Sequence, residues 1–287
     1  MAAKLIDGKV LAQSIRERIA KDVADLHANT GVRPGLAAIL VGDDPASHLY
    51  VKSKQKACDA AGIYVDEHRL PATMSQADLL ALIEKKNADP KVHGILVQLP
   101  LPKHIDSKVI LDAVSPLKDA DGFHPYNLGR LVEGNPVFEA CTPKGVIKMI
   151  ESTGVSIEGK RAVVVGRSNI VGKPVALMLL HRHATITICH SKTKDLPAVC
   201  REAEILVVAI GKAKFVTADM VREGAVVIDV GVNRLSDGTF VGDVDFGPVS
   251  QKAGWISPVP GGVGPMTITM LLYNTVEAAK RFAAAKK

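Results

Sequence analysis

Residues 163–174, VVVGRSNIVGKP, join an apolar run to a glycine turn and the opening of a helix, and this junction restricts the fold more than any other segment. A strand turning directly into a helix is the repeating joint of parallel α/β sheets. Gly166 is free to take backbone angles closed to other residues, Gly172 permits a close helix approach, and the uncovered N–H groups at the helix start attract an anion. The segment departs from G-x-G-x-x-G: Ser168 stands for the second glycine and the last glycine falls one residue late. Taken alone, it fits an ordinary strand-turn-helix corner as well as a phosphate cradle.

The following strand separates the two readings. In a dinucleotide fold an acid ending the second strand, ~20 positions on, accepts from the adenosine 2′-hydroxyl and so selects NAD. Here ATITICHSKT ends in His190, Ser191 and Lys192 with no carboxylate, and Arg167 sits in the glycine turn. Donors at those positions suit a 2′-phosphate, so the expected ligand is NADP; the plainer alternative makes Arg167 and Lys192 solvated charges.

The chain has 287 residues, 47% hydrophobic and 4% aromatic, enough for two domains with aliphatic cores. Helical and strand patterns alternate almost throughout, the signature of α/β architecture. A helix over 8–27 precedes strand LAAILVG, a helix over 47–61, strand YVDEHRLP, a helix capped by Ser75, and strand HGILVQLPLP. A Pro/Gly/Asp-rich stretch over 115–136 breaks the pattern, and a helix at CTPKG bridges into RAVVVG, ATITICH, EILVVAIG and AVVIDVG. A long helix over 266–285 closes the chain and is expected to pack back on the first half. The division expected is residues 1–139 plus 266–287 as a catalytic domain, and 140–265 as a Rossmann-like, doubly wound nucleotide domain.

No apolar window reaches the ~20 residues of a membrane helix, so a soluble, cytoplasmic protein without a membrane partner is expected. Cys58, Cys141, Cys189 and Cys200 form no C-x-x-C pair, and the nine histidines show no metal spacing, so buried thiols and no metal are expected. A net charge of +6, spread along the chain, favours an anionic ligand. No aromatic platforms alternate with the basic residues, which speaks against nucleic acid.

Three segments place polar groups where strands should end. In YVKSK, Tyr50 and Lys54 share a helix face, though such a pair is ordinarily solvated. In VQLPLP, Gln98 follows an apolar strand that Pro100 and Pro102 stop, which leaves its amide at the sheet rim. In KDADGF, Asp121-Gly122 reads as a turn, yet its carboxylate also matches the paired donors of an aminopyrimidine edge.

YVKSK, VQLPLP, KDADGFHPYNLGRL, CTPKG, VVVGRSNIVGKP, ITICHSKT and SPVPGGVGPMT occur together in one order and spacing. In this the chain resembles, end to end, the bifunctional methylenetetrahydrofolate dehydrogenase/methenyltetrahydrofolate cyclohydrolase family. The resemblance implies tetrahydrofolate substrates in a cleft between the domains, NADP on the C-terminal domain, and a homodimer. It implies that Tyr50 stacks on the aminobenzoate ring, Asp121 holds the pterin, Lys54 is the central catalytic group and Gln98 positions it. Val97, Leu99, Pro260, Gly261 and Gly262 then line the substrate site, while Gly166, Arg167, Ser168, Ile170, Ser191 and Val232 contact the dinucleotide.

The chemistry agrees with these residue types. A methylene between two nitrogens loses hydride directly, because a lone pair fills the vacancy, so oxidation needs orientation rather than an acid-base dyad. Hydrating the methenyl cation and opening its ring do require proton transfers, for which Lys54 is the candidate, provided burial or the cationic substrate lets it shed its proton. A shikimate-type dehydrogenase shares the two-domain plan, but Tyr50-x-x-x-Lys54 together with Gln98 argues against it.

Overall fold

The computed structural model describes residues 2–285, the side chains of residues 45–50 excepted. The first half comprises β1 (Lys4–Leu5), α1 (Gly8–Thr30), β2 (Gly35–Val41), α2 (Pro45–Ala60), β3 (Tyr64–Leu70), α3 (Gln76–Ala88), β4 (Gly94–Val97), α4 (Ser107–Ala113), α5 (Pro125–Val132) and α6 (Cys141–Ser152). The second half comprises β5 (Arg161–Val165), α7 (Gly172–Leu180), β6 (Thr185–Cys189), α8 (Leu196–Arg201), β7 (Ile205–Val208), β8 (Val226–Asp229), β9 (Asn233–Arg234), β10 (Phe240–Val241), α9 (Phe246–Ser250), β11 (Trp255–Ile256) and α10 (Val263–Ala285).

Side-chain acceptors set several helix starts. The Asp7 carboxylate accepts from the N–H groups of Lys9 and Val10 at 2.9 and 3.1 Å, so α1 opens at Gly8. Ser75 accepts from Asp78 N–H at 3.1 Å and Asp106 from Lys108 N–H at 2.8 Å. The stretch expected to be irregular contains α5, because Pro125 supplies a preset first turn and the His124 ring accepts from Tyr126 N–H at 3.0 Å. The closing helix begins at Val263, three residues before the expected start. Pro265 sits in its first turn, where a missing N–H costs nothing.

The chain forms two compact units. Ser14–Cys141 and the segment from Ile268 onward make one of them. Its sheet is parallel, ordered β3-β2-β4, and all seven residues of β2 are buried, as a central strand covered on both faces requires. Ala37, Ile39, Leu79, Ile83, Ile95 and Ile110 pack in one core cluster, each large aliphatic chain worth about 1.5–3 kcal/mol of burial. From α10, Asn274 donates to the carbonyls of Ala120 and Glu139, both at 2.9 Å.

The other unit combines Thr142–Thr267 with the residues up to Gln13. Its sheet is parallel and ordered β1-β11-β8-β7-β5-β6, a doubly wound arrangement. The opening residues, expected within the first domain, join this unit because β1 pairs with β11, Lys4 opposite Trp255 and Leu5 opposite Ile256. The order reverses at β5: the chain leaves it for β6 on one side and returns to β7 on the other. Crevices at the carboxyl ends of strands open at such reversals.

Candidate active site and nucleotide site

Helix α2 buries a stripe of Val51, Lys54 and Cys58 at spacings of three and four, while Lys52 and Lys56 face solvent. Lys54 therefore lies on the inward face and is 8% exposed, which departs from the solvated surface such a pair ordinarily occupies. One turn beyond it, burial pushes the Cys58 thiol up to about 12. Tyr50 lies one turn before Lys54, and its side chain is outside the described residues.

The Lys54 ammonium donates to Gln98 Oε1 at 3.0 Å. Gln98 continues β4 at its carboxyl end, its backbone N–H bonded to Ile39 O at 2.8 Å. Its side-chain nitrogen donates to Leu99 O at 2.7 Å, and Leu99-Pro100 is a cis peptide. The amide orientation is thereby assigned: nitrogen toward the carbonyl, oxygen toward the amine. Val97 turns its side chain into the core, so only its backbone faces the site.

Asp121 reaches the same end of the sheet along the edge of β4. Ile95 bridges Asp119 in parallel, and Ile95 N–H donates to Lys118 O at 2.7 Å, so the segment runs beside β4 in the same direction. Gly122 has φ +74°, and a Cβ there would stand 2.6 Å from Ala140 N, so only glycine makes this turn. The Asp121 side chain keeps partial access to solvent, yet the surrounding protein desolvates its carboxyl and lifts its pKa from 3.8 to about 6. The Lys54 ammonium opposes that rise and the Asp119 carboxylate adds to it.

Asp119 was not singled out from the sequence. It is buried, and it accepts from the N–H groups of Gly122, Phe123 and His124 at 3.1, 3.2 and 2.8 Å and from Asn127 Nδ2 at 2.8 Å. These bonds shape the turn that presents Asp121. The only sequence signal was the alternation of two acids before a glycine.

The second group of predicted residues lies on the other unit. Gly166 follows β5 with φ +135°, and its Cβ would stand 2.3 Å from Ala209 O. A Cβ on Gly172 would stand 2.2 Å from Gly166 O. Both glycines are therefore required by close backbone approach. The Ser168 hydroxyl accepts from Val171 and Gly172 N–H at 3.2 and 3.3 Å, so the residue replacing a glycine closes the turn with its side chain. Arg167, Ser168, Ile170, Ser191 and Val232 are all exposed, on loops after β5, β6 and β8.

Register places the first two of those loops side by side: Val165 pairs with Cys189, and Gly166 N–H donates to Cys189 O at 2.9 Å. Beyond β6, His190 N–H donates to Thr193 Oγ1 at 2.8 Å and Lys192 N–H to His190 Nδ1 at 3.1 Å, folding the basic end of the strand into a tight turn. A glycine cradle that admits no Cβ, exposed apolar Ile170 and Val232, and the cationic Arg167 and Lys192 fit a phosphorylated dinucleotide. Pro260, Gly261 and Gly262 belong to this unit as well. Val259-Pro260 is cis, Gly261 has φ +106°, and a Cβ on Gly8 would stand 1.9 Å from Gly262 O, so this loop lies directly on the start of α1.

All four cysteines are free and buried, and no histidine, cysteine or acidic cluster among the described residues is arranged to hold a metal ion.

Comparison with known proteins places these features in a family. Residues 6–121 match the catalytic-domain model of tetrahydrofolate dehydrogenase/cyclohydrolase, and residues 140–283 match its NAD(P)-binding-domain model. The bifunctional protein FolD of Moorella thermoacetica is 59% identical over 98% of this chain and 100% of its own length. A crystal structure of the Campylobacter jejuni bifunctional enzyme FolD, a methylenetetrahydrofolate dehydrogenase/cyclohydrolase, superposes with a TM-score of 0.95 at 51% identity, covering 98% of this chain and 99% of that one. The Trypanosoma brucei enzyme, solved with NADP cofactor and an inhibitor, gives a TM-score of 0.94 at 40% identity, with 98% of both chains covered.

Proposed function

Because this chain belongs to the tetrahydrofolate dehydrogenase/cyclohydrolase family, it is an NADP-dependent methylenetetrahydrofolate dehydrogenase and methenyltetrahydrofolate cyclohydrolase, and we propose that Lys54, held by Gln98, moves the protons of its second reaction. The first reaction oxidises 5,10-methylenetetrahydrofolate to the 5,10-methenyl cation, and the second hydrolyses that cation to 10-formyltetrahydrofolate. The observation that carries the assignment is a buried amine hydrogen-bonded at 3.0 Å to a neutral amide, which orients it without neutralising it.

Bound NADP supplies the acceptor for the hydride. Gly166, Arg167, Ser168, Ile170, Ser191 and Val232 would hold it, with Arg167 and Ser191 toward the 2′-phosphate. The remaining work belongs to the folate-binding residues. Asp121 accepts from the amino edge of the pterin, Tyr50 stacks on the aminobenzoate ring, and Leu99, the backbone of Val97, and the loop of Pro260, Gly261 and Gly262 line the substrate. In hydrolysis, water adds to the methenyl carbon and gives a proton to Lys54 Nζ. The ring C–N bond then opens as Lys54 returns that proton to the departing nitrogen while the carbinol O–H loses its own proton to solvent and becomes the formyl C=O, so that one proton is released overall.

On the same reading the enzyme works as a cytoplasmic homodimer, feeding one-carbon units to purine, histidine and methionine biosynthesis, with neither nucleic acid nor membrane as partner. The family resemblance supports the dimer. The scattered positive charge is in keeping with small anionic ligands. No helix among the described residues is long and apolar enough to cross a membrane.

The deciding assay supplies methylenetetrahydrofolate with NADP or with NAD and follows the methenyl and formyl products separately. Both products are expected with NADP. Methenyl accumulation without formyl product would remove the second activity.

A further inference from the structure

Two buried carboxylates that the reaction does not use stand at the carboxyl edge of the six-stranded sheet. Asp229 ends β8 and is 3% exposed; Asp243, just after β10, is fully buried. Asp229 Oδ1 accepts from Gly231 N–H at 3.0 Å and from Asp243 N–H at 2.9 Å, and its Oδ2 accepts from Val244 N–H at 2.9 Å. Asp243 Oδ2 accepts from Ile210 and Gly211 N–H at 2.6 and 2.9 Å, and its Oδ1 from Lys212 N–H at 2.8 Å and Asn233 Nδ2 at 2.9 Å.

The glycines are fitted to these acids. A Cβ on Gly231 would stand 2.2 Å from Asp243 Oδ1, and one on Gly242 would stand 1.8 Å from Asp229 Oδ2. Among the described residues neither carboxylate is paired with a lysine or arginine, so backbone N–H groups and the side-chain amide of Asn233 stabilise the pair. Burial and the neighbouring Asp243 push Asp229 up to about 6.

Two consequences follow for the nucleotide edge. Val232 is gripped on both sides, since Gly231 is bonded to Asp229 and Asn233 to Asp243. Residues 210–212, tied to Asp243, continue from Ala209, whose carbonyl abuts the position a Gly166 Cβ would occupy. The pair therefore sets the loop beside the glycine turn and the next loop along the same sheet edge, after β8.

We propose that Asp229 and Asp243 are positioning residues for the dinucleotide, fixing loops 210–212 and 230–233 in the shape that binds NADP. This rests on the reading that the carboxyl edge of the six-stranded sheet holds the dinucleotide. The two acids touch backbone rather than reacting atoms, so they act on cofactor affinity and leave methenyl hydrolysis alone.

The test uses the full-length enzyme with two substitutions, Asp243→Asn and the milder Asn233→Ala, which removes a donor without stranding others. The KM for NADP is expected to rise roughly 10–100-fold for Asp243→Asn and about threefold or more for Asn233→Ala, the scale of lost charge-assisted hydrogen bonds. The dehydrogenase kcat at saturating NADP and the NADP-free hydrolysis rate should stay within about threefold of the parent, a split that general unfolding does not produce. Should Asp243→Asn fail to fold, Asn233→Ala decides alone.

Hydrogen exchange separates the two layers of the argument. In the parent, NADP is expected to protect residues 210–212 and 230–233. Absence of that protection overturns the nucleotide assignment of this edge and the proposal with it. Protection in the parent with an unchanged NADP KM in the variants overturns the role of the carboxylates alone, as does loss of hydrolysis in step with NADP binding.

Discussion

Gln98 joins Lys54 to the sheet: its side-chain oxygen takes the ammonium at 3.0 Å while its nitrogen is anchored on Leu99 O at 2.7 Å. A neutral amide places no negative charge beside the amine, whereas a carboxylate in its place favours the charged form of its partner. Gln98→Glu is therefore expected to lower methenyl hydrolysis by about 10²-fold or more, the range of general acid-base catalysis, with the KM for NADP unchanged. Direct assay of formyl production checks it, and full activity would show that the amide is only a spacer.

Lys54→Met keeps the length of the buried stem and removes the proton carrier. Hydrolysis should fall by roughly 10²–10⁴-fold. NADP binding, which involves another set of residues, should be intact by fluorescence or calorimetric titration. Hydrolysis at the parental rate would remove Lys54 from the reaction.

Asp121 carries a pH signature. Its pKa is lifted from 3.8 to about 6, so the folded protein favours the protonated acid. The sign is fixed by linkage: the stability contributed by the neutral acid is present below about pH 4 and is lost as pH rises through about 6. Asp121→Asn, free of that burden, should match the parent near pH 4 and melt higher at pH 7.5, by about 2–4 °C for each kcal/mol regained. Ligand binding should move the opposite way. Tetrahydrofolate affinity is expected to weaken in the parent as pH drops through 6 and to be both weaker and flatter in the variant. Calorimetric titration from pH 5 to 8.5 reads both.

Asp119 holds the turn rather than the ligand. Asp119→Ala removes the acceptor of the Phe123 and His124 N–H groups, while Gly122 N–H and the Asn127 amide lose one partner each and keep the carbonyls of residue 119 and Pro116, at about 1–3 kcal/mol for each group left unpaired and not rescued by water. Chemical denaturation should show a loss of several kcal/mol, and the folded fraction should bind folate poorly because Asp121 is no longer presented. A variant of parental stability would contradict this account of the turn.

The central parallel strands β2, β4, β5, β7 and β8 were legible because their aliphatic runs are buried on both faces, and the glycine turn because Gly166 and Gly172 sit where backbones touch. The inward position of Lys54 was harder to read. Tyr50 and Lys54 alone look like any wet helix face, and only the stripe with Val51 and Cys58 reveals the burial. Helix α5 hid in a Pro/Gly-rich stretch because its cap is a histidine, whose ring is an uncommon acceptor at that position. Strand β1 has two residues and no pattern; pairing with β11 alone makes it a strand. Asp119, Asp229 and Asp243 act on backbone N–H groups of loops, so neither periodicity nor motif spacing announces them.

Arg167 tests cofactor choice. It is exposed in the glycine turn beside the end of β6, where Ser191 and Lys192 stand in place of an acid. A guanidinium forked on a 2′-phosphate contributes about 1.5–3 kcal/mol, equivalent to roughly 10–150-fold in affinity, and offers nothing comparable to a 2′-hydroxyl. Arg167→Ala should therefore raise the KM for NADP by about that factor, leave the weaker NAD reaction nearly unchanged, and not alter methenyl hydrolysis measured without dinucleotide. Steady-state kinetics with each cofactor decides it: equal losses with NADP and NAD would mean that Arg167 shapes the turn rather than reads the phosphate.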